Sequence, residues 1–196
     1  SVNETLSLRS RLALVELHLG QGKYQAALKT LSDFKSNEET SPTLKASVNL
    51  LESRSLIALK RFDEAQVKLR LILDRQQQVA PAVLNSAALL LADTSIATAS
   101  PDEAFVILTG VIENAPSDGN VLPAFDRLAD AGFFKIADGK SFLDRWQKSP
   151  KAEIKQPASL FAAAEAREQS DTRPQALQLL RELKGEDDPI AIRASL

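Results

Sequence analysis

The stretch Leu14-Val15-Glu16-Leu17-His18-Leu19-Gly20-Gln21-Gly22-Lys23-Tyr24-Gln25-Ala26-Ala27-Leu28 holds the end of one helix, a tight turn and the start of a second helix. Upstream, Leu6, Leu8, Leu12, Leu14, Val15 and Leu19 recur at helical spacing, and Gly20-Gln21-Gly22 stops that helix with residues that accept left-handed dihedrals. The opening of the second helix, a small residue third after a bulky or turn-setting one, then recurs. It returns as Phe62-Asp63-Glu64-Ala65, Pro101-Asp102-Glu103-Ala104 and Arg173-Pro174-Gln175-Ala176. Counted from Ala27, the alanines stand 38, 39 and 72 residues apart, the last interval being twice 36. A period in this range belongs to stacked helical hairpins. One hairpin is too small to bury its own apolar face, so neighbours supply the missing surface, and the expected product is an elongated solenoid with one long concave side.

The expected units run about 3–38, 42–78, 81–115, 118–149 and 155–185, with a further helix starting over 187–196. The first pairs a helix from about Glu4 to Leu19 with one from about Tyr24 to Phe34. Pro42 and Pro81 open the next two, as a proline does where its missing N–H has no helical partner. Lys60-Arg61 is the whole connector of the second. Ser100-Pro101-Asp102-Glu103 is a helix start whose acidic groups complement the dipole, and Pro116 marks a stop. The fourth unit is degenerate: Val121 to Ala131 is a helix stopped by Gly132, Phe133 to Gly139 lacks the alanine signature, and helix resumes around Lys140 to Gln147. The fifth pairs Pro157 to Glu168 with Pro174 to Leu183.

Of the 196 residues, 44% are hydrophobic and 26% charged, ordinary for a folded domain with a substantial core. The 24 Lys and Arg balance 26 Asp and Glu without any basic run, which disfavours nucleic-acid binding, since that rests on concentrated positive charge. Cysteine is absent, removing disulfides, thiolate metal sites and cysteine nucleophiles. A membrane span needs roughly 20 continuous apolar residues, and the stretch near Ala87 to Ala92 is far shorter. Nothing marks the compartment, cytosol or bacterial envelope alike. The start at Ser1, without any methionine, reads as a piece of a longer protein or one that has lost a signal segment. Ile190, Ile192 and Leu196 read as leading into further repeats.

The stretch from Leu14 to Leu28 resembles the tetratricopeptide repeat. The resemblance extends over units one, two, three and five, with Ala92, Ala104 and Pro116 at the family's spacing in the third. It departs where Val15 and Ser53 replace a glycine or alanine, where His18 replaces a tyrosine, and in its longer period. The resemblance implies an all-α fold, a right-handed α-solenoid of stacked antiparallel helix hairpins, with the first helix of each hairpin lining the concave groove. The groove positions are then Arg9, Leu12, Glu16 and Leu19 in the first unit, Ser47, Leu50, Arg54 and Ile57 in the second, and Ser86, Leu89, Asp93 and Ile96 in the third. The family's grip on a C-terminal carboxylate uses Lys and Asn where this chain has Leu12 and Glu16, so that ligand is not expected. Leu12, Leu50 and Leu89 instead suit an extended peptide or a helix, oriented by Glu16, Arg54 and Asp93. The alternative is that these leucines pack against neighbouring helices.

Chemistry is sparsely marked. His18, the single histidine, lies between Leu17 and Leu19 with no sequence partner to orient it, which favours packing over catalysis. Asp187-Asp188, Glu38-Glu39 and Asp102-Glu103 read as helix starts and solvated loops. Gly20 and Gly22 belong to a turn, with no phosphate-loop lysine after them. No catalytic residue, metal site or cofactor is assigned. Phe133, Phe134, Phe142 and Trp146 fill the core of the irregular fourth hairpin, or else Trp146 is an exposed anchor. The expected function is a non-enzymatic scaffold that holds a protein or peptide partner inside a larger bacterial assembly of the cell-envelope, secretion or polysaccharide-export kind. A structural spacer that self-associates through its end helices is the alternative, and an all-α enzyme the weakest reading.

Overall fold

The computed structural model describes residues 2–32, 41–74, 78–115 and 121–168, with side chains from Ser10 to Glu165. The described residues are all helical and contain no strand. The helices are α1 (Val2–Gly20), α2 (Tyr24–Ser32), α3 (Pro42–Ala58), α4 (Phe62–Leu73), α5 (Pro81–Ala97), α6 (Pro101–Glu113), α7 (Leu122–Asp130), α8 (Ala137–Gln147) and α9 (Ala152–Glu168), with a 3-10 turn at Phe133–Lys135. The chain divides into two compact units between Ala104 and Phe105. The second helix of the fifth expected hairpin and the segment 187–196 lie outside the described residues.

In the first unit, one turn is used three times. After α1, the Gly22 N–H donates to the Leu19 carbonyl at 3.0 Å and the Lys23 N–H to the His18 carbonyl at 2.8 Å. After α3, Lys60 donates to Ile57 and Arg61 to Leu56, both at 2.9 Å; after α5, Ala99 donates to Ile96 at 3.1 Å and Ser100 to Ser95 at 2.8 Å. This paired pattern satisfies the last carbonyls of each first helix and needs a left-handed residue at its centre. Gly22 supplies it at φ 69°, but Lys60 and Ala99 do so at φ 59°, where a Cβ is strained. The next helix begins two residues later in each case.

The same period governs packing. Val15, Ser53 and Ala92 in the first helices, and Ala27, Ala65 and Ala104 in the second, are each 1% exposed or less. Small side chains there let the two helices of a hairpin approach closely. The Ser53 hydroxyl, which stands 3.4 Å from the Ala65 carbonyl, donates to the Asn49 carbonyl at 2.8 Å and so is buried without an unmet hydrogen bond. Val15, Ala27 and Leu31 of the first hairpin share one cluster with Val48 and Leu51 of α3, so the second hairpin covers the apolar face that the first leaves open. Helix α3 packs on α1, α2, α4 and α5, which is why Ala46, Val48, Leu50, Leu51 and Leu56 are all buried. Ser41 caps it, its hydroxyl accepting from the Leu44 N–H at 3.2 Å.

The second unit is built around rings. Phe125 of α7 meets Trp146 edge-on at 5.2 Å, stacks on Phe161 of α9 at 5.5 Å and lies 6.1 Å from Phe134. Phe133 contacts Phe105 of α6 at 4.6 Å and Phe142 of α8 at 5.8 Å. Burying one such ring is worth about 1.5–3 kcal/mol, and well-placed ring pairs add about 0.5–1.5 kcal/mol. Trp146 is 3% exposed, which makes it core and not an anchor.

Two helix starts differ from the sequence expectation. Helix α8 begins at Ala137 and not near Lys140, because Gly139 lets its first turn lie against the 3-10 segment: a Cβ there would sit 1.9 Å from the Phe133 carbonyl oxygen. Helix α9 begins at Ala152, five residues ahead of Pro157. The Lys151 carbonyl accepts from the Ile154 and Lys155 N–H groups and closes that extra turn, and Pro157 is buried within the helix.

Candidate interaction surface

The positions read from the sequence as a groove fall on α1, α3 and α5, the three first helices of the first unit. Helix α1 contacts α3, and α3 contacts α5. Because the turn after each helix repeats, Leu12, Leu50 and Leu89 occupy one register position, and Glu16, Arg54 and Asp93 the position one turn further on.

Burial separates these residues. Glu16 and Arg54 are exposed, and Asp93 is half-buried. Arg54 forms no ion pair among the described residues. Leu12 is half-buried and packs with Leu19 against the Val15 cluster. Leu50 is 8% exposed and belongs to the interior, where the four helices packed on α3 place it. Leu89 and Ile57 are half-buried, and Ile96 is exposed. Ser47 and Ser86 spend their hydroxyl protons within their own helices, on the Thr43 and Ala82 carbonyls at 2.9 Å. The side chain of Arg9 lies outside the described residues. What remains accessible is thus a band of alternating charge, Glu16 then Arg54, edged by Ile96. Of the apolar row, Leu50 is packed away, and Leu12 and Leu89 are half-buried.

His18 is half-buried, and its Nδ1 has no hydrogen-bond partner among the described residues. No described side chain orients the ring as a general base would require. On the second helices, Val67 and Leu71 stand exposed one turn apart on α4, a feature that period alone did not single out. Among the described residues, no helix is long and apolar enough to cross a membrane.

Ion pairs reinforce the hairpins. Lys68 of α4 lies 2.6 Å from Glu52 of α3. Arg61 grips Glu64 with two hydrogen bonds of 2.6 and 2.7 Å at the start of α4, and that grip holds the Glu64 carboxyl below its ordinary range. In the second unit, Glu113 of α6 accepts from Arg145 and, at 3.4 Å, from the Trp146 indole. Compared with family models, curated proteins and solved structures, the chain gives no match.

Proposed function

We propose that this chain is a non-enzymatic interaction scaffold, a solenoid of the tetratricopeptide-like kind whose first helices present a partner-binding face for a peptide or a partner helix. The observation that supports this reading is the threefold use of one turn at intervals of 38 and 39 residues, which brings α1, α3 and α5 into the same register. Repetition of this kind builds extended surfaces, and extended surfaces suit elongated ligands. Glu16 and Arg54 orient such a ligand by charge, and Ile96 contributes apolar contact area.

The test is a random-peptide display library panned against the full chain, with selected peptides measured against Arg54→Glu and Glu16→Arg. Loss of binding in both charge reversals, with helical content unchanged, supports the face. Selection of no peptide, or of peptides indifferent to both changes, overturns it. Leu50 is unsuitable for this purpose, since a polar residue there would disturb the core.

A spacer that self-associates is the second reading, supported by Leu14 and Leu17. These stand 43% and 54% exposed on α1. Their equivalents on α5, Leu91 and Thr94, are buried. A side of α1 patterned like a covered helix invites a second copy, and sedimentation of Leu17→Glu against the parent chain decides it.

A further inference from the structure

We propose that a recess between α3 and α4 binds a small amphiphilic carboxylate, its apolar body against Ile72 and Val79 and its acid group on Lys45 and Asn49. The recess has a volume of about 290 Å³, close to the lower bound of roughly 300 Å³ for small-molecule sites. It lies within the first unit and does not depend on the first-helix face. Leu31, Val48, Ile72 and Val79 line it with apolar side chains. Its polar lining is Lys45, Asn49, Glu52 and Lys68.

Charge selects the ligand. Glu52 and Lys68 neutralise each other at 2.6 Å, which leaves Lys45 as an uncompensated cation; it forms no ion pair among the described residues. Asn49 follows Lys45 by four residues, so both sit on one side of α3 and face the same space. An ammonium and an amide so placed match the two oxygens of a carboxylate. The nearby N-terminal turn of α3 carries partial positive charge of the same sign. An inorganic anion would forfeit the contacts with Ile72 and Val79, and an alkylamine would meet Lys45 with like charge. The wall at Val79 is held in place beforehand: the Thr43 hydroxyl donates to the Gln78 carbonyl at 3.4 Å and accepts from the Ala80 N–H at 3.3 Å. The ligand therefore enters a shaped site and does not have to organise it.

Calorimetric titration of the full chain with octanoate, 1-octanol and octylamine tests the assignment. Octanoate is expected to bind at least tenfold more tightly than either neutral or cationic analogue. Lys45→Met should reduce octanoate affinity to the octanol level with unchanged circular dichroism, and Lys45→Gln gives the same comparison should the methionine variant fold poorly. Lys60→Met and Arg54→Glu should leave octanoate binding as it was, which separates this site from the first-helix face. Equal binding of octanoate and octanol, or a Lys45→Gln variant that binds octanoate like the parent, overturns it.

Discussion

Arg70 of α4 and Glu103 of α6 form an ion pair across 33 residues of sequence, joining the second helices of two successive hairpins. Glu103 also accepts from the Ser95 hydroxyl of α5 at 3.0 Å. The Arg70 hydrogen bond, aided by Ser95 and by the charge of Arg70, holds the Glu103 carboxyl below its ordinary value of 4.5. A carboxylate with a lowered pKa stabilises the fold above its unfolded value, and that contribution disappears as pH falls through the folded value. With 37% of the Glu103 side chain exposed, solvent screening limits the contribution to about 1 kcal/mol at most. Urea denaturation at pH 7 should show Glu103→Gln less stable than the parent by up to that amount. The gap should narrow as the solution is acidified below pH 4.5 and close once the lowered folded value is passed; a gap unchanged by acidification would refute the assignment.

The left-handed turn residues make opposite predictions at equivalent places. Replacing Ala99 or Lys60 by glycine removes Cβ strain and should stabilise the chain by about 0.5–1 kcal/mol, after the entropy that glycine returns to the unfolded chain is subtracted. Gly22→Ala should cost about 1 kcal/mol. Denaturant midpoints for the three single variants are the measurement, and a destabilised Ala99→Gly is the contrary outcome.

Gly139→Ala should destabilise the second unit by about 2 kcal/mol or more, since the added methyl meets backbone and not a movable side chain. Trp146, the single tryptophan, reports on that unit alone. Its emission should lose its buried character at lower denaturant in Gly139→Ala than in the parent chain.

Phe125→Ala removes the ring that touches Phe134, Trp146 and Phe161 together, and should cost about 3–5 kcal/mol. In the parent chain, Trp146 fluorescence should be blue-shifted and poorly quenched by iodide. A solvent-quenched tryptophan in the native protein would contradict its burial.

The period was legible because Ala27, Ala65 and Ala104 sit where only a small side chain lets two helices approach, a constraint that appears directly as residue type. The turn geometry was hidden. Lys60 and Ala99 carry no glycine signature, and their dihedrals follow from hydrogen bonds that close the helices before them. The start of α8 at Ala137 was hidden because residue type alone does not show the Phe133 carbonyl against which Gly139 is placed. Among the groove positions, the exposure of Glu16 and Arg54 follows from their charge, since an unpaired ion resists burial. The burial of Leu50 depends on four surrounding helices, and no single-helix pattern encodes that number. The recess was illegible for the same reason: Lys45 and Asn49 of α3 come to share a space with Ile72 of α4 and with Val79 only when the helices are packed.

The repeated turn also dictates where this chain can change length. One residue inserted between Leu59 and Phe62 would swing every side chain of α4 by about 100°, turning Ala65 and Leu69 out of the core and charged neighbours into it. Extra residues and grafted peptides are therefore excluded from the short elbows inside the hairpins.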